Sequence, residues 1–212
     1  MKKTLIITLA ACMLLFTGCT SSADDNDQQE PARIEPIVTE IDLEKPEDGE
    51  YPAEFQTTAL QKNEDGYVLE TELFAEEFFD AVQITQLKEG DVIVSEGQEY
   101  TVESVENNDT GYVIVNGGLE QGGIEFAANE GGTWVVEKMD DAHSYQSLGK
   151  VNLQLSPDFV FTDDADPDNT GVTCDAASLK ALGDDGQGFN RNNTTVTITN
   201  GVITAAHRVF LP

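Results

Sequence analysis

The sequence predicts a mainly β domain, an antiparallel barrel or sandwich of roughly ten strands with at most one or two short helices. Three features predict it: apolar and polar residues alternate over short runs, turn dipeptides recur at short intervals, and apolar stripes of helical period are scarce. Alternation of period two places one side of a strand in a core and the other in water.

The alternating runs come first. Tyr67, Leu69, Thr71 and Leu73 are interleaved with Glu70 and Glu72; Val151, Leu153 and Leu155 with Asn152 and Gln154; Val196 and Ile198 sit between threonines. Turns are marked by Glu64-Asp65-Gly66, Glu89-Gly90-Asp91, Glu96-Gly97, Asp109-Thr110-Gly111, Gly131-Gly132 and Asn200-Gly201. The last is the strongest hairpin signal, because Asn-Gly supplies two positive-φ residues for a type I′ turn between Thr194–Thr199 and Val202–Phe210. The stretch from Leu87 to Glu106 has the pattern of a small-barrel hairpin. Ala176 to Leu182 is expected to form a short helix, with Asp175 as N-cap and Gly183 just past its end. Phe74 to Val82 reads equally as helix or strand, since Glu76 and Glu77 suit a helix start while Phe78, Phe79 and Val82 suit a sheet.

The N-terminus is of another kind. Lys2 and Lys3 precede an apolar run from Leu5 to Phe16, too short for a bilayer, which needs roughly 20 apolar residues. It fits the apolar region of a secretory signal. Phe16-Thr17-Gly18-Cys19 then resembles the lipobox of a bacterial lipoprotein (type II) signal. Leu9-Ala10-Ala11-Cys12 is the better lipobox by residue type, but cutting there leaves too short an apolar region and strands Met13-Leu14-Leu15-Phe16 on the mature chain. The resemblance implies a mature N-terminus at Cys19, thioether-linked to diacylglycerol. It implies an extracytoplasmic protein tethered to a bacterial membrane, at the cell surface or on the periplasmic side. The expected organisation is thus residues 1–18 as signal, 19–50 as a disordered acidic tether with Pro31, Pro36 and Pro46, and 51–212 as the β domain. Ser156-Pro157 is the candidate place for a sub-boundary within it. Ile34 to Ile41 is the one tether stretch with the composition of an edge strand.

Charge restricts the partners. The 212 residues include 11 basic and 40 acidic side chains, a net charge of −29, and loss of Lys2 and Lys3 with the signal takes it to −31. Such a field repels nucleic acid and anionic head groups and draws cations, so DNA and RNA are excluded as partners. Once Cys12 is cut away and Cys19 is lipidated, Cys174 stands alone, which forbids an internal disulfide or a cysteine metal cluster.

One segment has the spacing of a metal loop. With Asp164 as position 1, Asp166 stands at 3, Asp168 at 5 and Asp175 at 12, the start and close of an EF-hand-type calcium loop. Alternate carboxylates in a tight turn can converge the hard oxygens that Ca²⁺ requires. Against it, Pro167 stiffens the loop, Gly171 replaces the usual hydrophobic residue, and no helix is predicted before it.

No other chemistry reaches a motif. The glycine cluster Gly117 to Gly123 lacks P-loop spacing and a lysine; neither G-x-S-x-G nor H-E-x-x-H occurs. His143, near Asp140, Asp141 and Ser144, has triad residue types without triad geometry, and His207 continues the alternation of a strand. Trp134, Tyr112, Tyr145, Phe78 and Phe79 fit a β core better than a ligand groove. The leading expectation is a non-enzymatic module for binding a protein, peptide or glycan, or for envelope structure. The alternative is an extracytoplasmic hydrolase or metal-dependent enzyme using the acidic loop 163–175.

Overall fold

The structure is a computed structural model that describes residues 30–107, 111–139, 142–182 and 188–211. The signal, Cys19 and the first part of the tether lie outside these residues, as do Asp109, Thr110, Asp140, Asp141 and Gly183.

Fourteen strands occur among the described residues. The first four are β1 (Arg33–Ile34), β2 (Gly49–Glu54), β3 (Leu60–Asn63) and β4 (Gly66–Glu76). Helix α1 (Ala81–Thr85) leads into β5 (Val92–Ser95), β6 (Gln98–Thr101), β7 (Val105–Asn107), β8 (Tyr112–Val115), β9 (Ile124–Ala128) and β10 (Trp134–Val136). The 20-residue β11 (Tyr145–Asp164) is followed by β12 (Val172–Cys174), α2 (Ala176–Leu182), β13 (Thr194–Thr199) and β14 (Val202–Val209).

The larger part is a barrel. Residues Tyr145–Gln154 of β11 pair antiparallel with β4, and Leu155–Asp164 pair parallel with β14. β14 pairs with β13, β13 with β2, and β2 with β4, so five strands close a ring. Counted along the chain, the order around the ring is first, second, third, fifth, fourth: a five-stranded Greek-key barrel of the OB type. The alternating residues fill it. Leu69, Leu73, Leu153, Leu155, Phe161, Val196, Ile198 and Ile203 are all buried in one cluster, with Phe55 stacked on Phe189 at its rim.

Between β4 and β11 the chain makes, together with β1, a second β body with its own core. It has two small sheets, ordered β1-β5-β6 and β10-β9-β8-β7, around Phe79, Ile84, Ile93, Phe126 and Ile34. The stretch 87–106 does form hairpin β5–β6, whose turn residues Glu96 and Gly97 both have positive φ. The ambiguous stretch 74–82 divides: β4 continues to Glu76, and α1 starts after Asp80, which caps it by accepting from Val82 N and Gln83 N. Asn200-Gly201 makes the expected hairpin, with φ values of 54° and 77°. Helix α2 starts on Asp175, which accepts from Ser178 N at 2.8 Å.

Two boundaries differ from expectation. The folded body begins at Pro31, not Tyr51. Arg33 and Ile34 run parallel to Val92 and Ile93, Ile34 is buried in the second core, and Ile41 and Leu43 pack on the barrel. Few apolar residues suffice to hold this segment, so its acidic composition disguised it. Ser156-Pro157 also marks no sub-boundary. It lies inside β11, where the register against β14 shifts between Leu155 and Val160, and proline is tolerated at such a bulge because no ladder N–H is needed.

Where β11 meets β14, a buried ion pair holds the parallel seam. Arg208, 3% exposed, donates from Nε and Nη2 to the two carboxylate oxygens of Asp163 at 3.0 and 2.6 Å, and its guanidinium lies 4.6 Å from the centre of the Phe189 ring. Removing one partner of a buried pair leaves an uncompensated charge. Asp163→Ala is therefore expected to cost about 3–5 kcal/mol, read as a lowered urea midpoint. Substitution of the exposed neighbour Asp166 should cost far less.

Candidate functional site

The four aspartates of the expected calcium loop sit close in sequence, but the fold gives them separate partners. Asp164 accepts from Gly171 N and pairs with His207 Nε2 at 2.7 Å. These contacts, the backbone one foremost, hold its carboxyl below the ordinary aspartate range. Asp166 accepts from Asp168 N at 3.0 Å, closing an Asx turn, and Asp175 is spent on α2. Asp168 is exposed. Among the described residues no group of three or more His, Cys, Asp or Glu side chains is placed to hold a metal ion.

The other sequence candidates are also engaged in structure. His143 Nδ1 meets Glu76 Oε1 at 2.8 Å, and the neighbouring Ser144 is buried with its Oγ unpartnered. In the glycine cluster, Leu119 N donates to Glu125 Oε1, so a carboxylate fills the loop. A Cβ on Gly118 would lie 2.1 Å from that oxygen, at a φ of 73°, which is why glycine stands there. Phe79 is fully buried against Trp134 and Phe126, and of the aromatic set Tyr145 lines a cleft described below.

The concave feature lies across the outer face of β2, β4 and β11. Register sets Glu54 of β2 beside Glu72 of β4, and Glu72 beside Lys150 of β11. Over this row lies a cleft of about 620 Å³ whose far end is walled by Gln56–Ala59 and Gly188–Asn190. A second cleft of about 610 Å³ runs on from it to the second β body, lined by Phe74, Glu77, Glu96, Tyr145 and Arg191 among others. Glu54 and Glu72 line both, so the two clefts adjoin along this row and are taken together as the groove. Its outer edge is the incoming segment 35–38, pinned where Gln146 Nε2 donates to Ile37 O at 2.9 Å and Gln146 Oε1 accepts from Thr39 N at 3.2 Å.

Charged groups in the groove are unevenly held. Glu77 is buried and accepts from Ser95 Oγ at 2.7 Å and Glu96 N at 2.8 Å; burial nevertheless pushes its pKa up. Burial also raises that of the Tyr145 phenol, with Glu76 adding to it. Glu96, in the left-handed region at φ 51°, takes Lys138 Nζ at 2.8 Å. Arg191 reaches Glu96 at 3.5 Å and Glu54 at 3.9 Å, lies 5.2 Å from the centre of the Phe74 ring, and leaves its buried Nε without a partner. Of these residues Tyr145 is in the aromatic set that the sequence offers, Glu77 and Glu96 stand there as helix-start and turn residues, and Lys138 and Arg191 are not among the sequence candidates. The available signals were Glu77 within the apolar run Phe74–Phe79 and Arg191 as the one base between Gly188 and Thr199.

Two measurements follow. Because the folded state keeps a proton on Glu77 to higher pH than the unfolded chain does, the unfolded state binds fewer protons and stability falls as pH rises through that interval. Urea midpoints taken from about pH 4 to 7 should show Glu77→Gln gaining on the parent chain as pH rises. Calcium, in turn, would have to pull Asp164 from His207. Millimolar Ca²⁺ after chelation is expected to leave the melting temperature unchanged, whereas a bound ion at 100 times its Kd would add roughly 2.7 kcal/mol. A gain abolished by Asp166→Ala would mean that the loop rearranges around the ion.

No family model, no curated protein and no solved structure matches the chain.

Proposed function

We propose that the protein is an extracytoplasmic lipoprotein, held on a bacterial membrane by lipid at Cys19, whose β body is a non-enzymatic binding module. The observation that carries the binding role is the groove across β2, β4 and β11, two clefts of about 620 and 610 Å³ joined at Glu54 and Glu72. OB-type barrels take extended ligands on the face of their second and third strands, which in this barrel are β4 and β11. Fold alone does not imply function, but here a groove lies on that face independently of the analogy. Neither a histidine nor a cysteine lines it, and Glu77, its most shielded carboxyl, is occupied by Ser95 and the Glu96 amide. Such a set suits recognition better than turnover. Anchoring rests on the lipobox-like Phe16-Thr17-Gly18-Cys19 and on the acidic stretch between Cys19 and Pro31.

Hydrogen exchange tests the binding role on the mature chain in non-ionic detergent, with neutral oligosaccharides, basic peptides and acidic peptides supplied in turn. One class is expected to protect amides in 54–59, 70–74 and 145–150 together. Protection confined to the second β body, or no protection by any class, would count against the groove. For the anchor, Cys19→Ala should shift the protein out of the membrane pellet, and the parent chain should carry the mass of a lipidated Cys19.

A further inference from the structure

We propose that Asn200-Gly201 is a modification site of the folded protein. There the asparagine carboxamide leaves as ammonia through a backbone succinimide, and the isoaspartate that results loosens the β13–β14 hairpin. Water is the co-reactant, and the site is independent of the groove.

The chain holds two Asn-Gly pairs, Asn116-Gly117 and Asn200-Gly201. Glycine has no Cβ to crowd its own nitrogen, which leaves that nitrogen open to attack the preceding asparagine Cγ. Both pairs form left-handed turns with the same φ values, 54° and 77°. The turn at Asn116 is closed by Gly118 N donating to Val115 O at 3.0 Å, and the turn at Asn200 by the pairing of Thr199 with Val202. With the backbones alike, the side chains and their surroundings separate the two sites.

Asn116 is locked. Its Oδ1 accepts from Glu103 N at 2.8 Å and Ser104 N at 3.1 Å, and its Nδ2 donates to Thr101 O at 2.8 Å. Turning Cγ toward Gly117 N breaks these bonds. The Gln121 carboxamide also covers the glycine, since a Cβ on Gly117 would lie 2.6 to 2.7 Å from it. Asn200 differs on each count. It is exposed, its carboxamide has no hydrogen-bond partner among the described residues, and a Cβ on Gly201 would meet nothing within 4 Å. Asp48 Oδ1 accepts from Asn200 N at 2.6 Å and so leaves Gly201 N, the attacking atom, free.

The steps balance. Gly201 N gives its proton to hydroxide and bonds to Asn200 Cγ, and the Cγ–Nδ2 bond breaks as ammonia departs. Water then opens the ring. Breaking the new Cγ–N bond gives aspartate, whereas breaking the original backbone C–N bond gives isoaspartate, whose chain runs through Cβ and Cγ. That adds one backbone atom to a two-residue loop, and the loop sets the register of the strands it joins. Next to this loop Ile198 pairs with Ile203, both in the barrel core.

The test is peptide mapping of the full chain after days in mildly alkaline buffer with non-ionic detergent, using fragmentation that separates aspartate from isoaspartate. Asn200 should convert at least about tenfold faster than Asn116, the factor set by opening one or two hydrogen bonds. In urea, where both turns are lost, the two rates should come within about threefold of each other. Equal rates in the folded chain, or no conversion at Asn200, would overturn the proposal. So would a difference that persists in urea, because neighbouring residues and not the fold would then set it. The isoaspartate form, separated by anion exchange, should melt below the parent, and Asn200→Asp, which adds the charge without the extra atom, should melt nearer to it. An isoaspartate form that melts with the parent would overturn the loosening of the hairpin.

Discussion

One strand does the work on which the rest depends. β11 joins β4 through its first half and β14 through its second, and without that double pairing the barrel strands are an open sheet with two edges. Two irregularities let one strand serve both partners. The register against β4 shifts between Ser147 and Gly149, where Gly149 has a φ of 118°, and the register against β14 shifts at Ser156–Phe159. The parallel seam with β14 is then fastened by Asp163 and Arg208, joined by two hydrogen bonds, with Arg208 Nη1 also donating to Gly188 O at 3.5 Å and Asp163 Oδ1 accepting from Ala165 N at 3.1 Å. The same strand delivers Tyr145, Gln146, Ser147 and Lys150 to the groove. Closure of the barrel and construction of its concave face are one event.

The second β body is tied in at the point where the chain leaves β4 and returns to β11. There Glu77 N donates to Ser144 O, and Phe79 exchanges backbone hydrogen bonds with Trp134. Between these contacts the Glu77 carboxylate reaches across to Ser95 and Glu96 of hairpin β5–β6. A buried carboxylate is an expensive way to make such a link, and burial works against its charged form. Its return is positional. It fixes the hairpin whose Glu96 faces Arg191 and Lys138, so the charge arrangement at one end of the groove depends on a group with no exposure of its own.

What could be read from the sequence was what local physics decides. Asn200-Gly201, the alternating runs and Asp175 before Ala176 depend on φ preference, strand period and capping, and each stands where expected. What could not be read depends on distant partners. Residues 31–49 looked like tether because composition is averaged over a segment, whereas Ile34, Ile41 and Leu43 act singly in pockets supplied by other strands. Spacing places Asp164, Asp166 and Asp168 on one loop but carries no sign of His207, 43 residues away, which pairs with the first of them. The groove glutamates were hidden by abundance. Among 40 acidic residues, Glu54 and Glu72 become distinct only once register sets them abreast.

That last point bears on how the charges of an acidic barrel are arranged. A net charge of −29 spread evenly would attract cations everywhere and select none. Selection requires that some carboxylates lie in a concavity where water and salt screen them less, and that others be neutralised in place. In this fold Arg33 is taken by Glu35 and Glu99 and Lys138 by Glu96, while the row at Glu54 and Glu72 lies at a cleft beside Lys150 and Arg191.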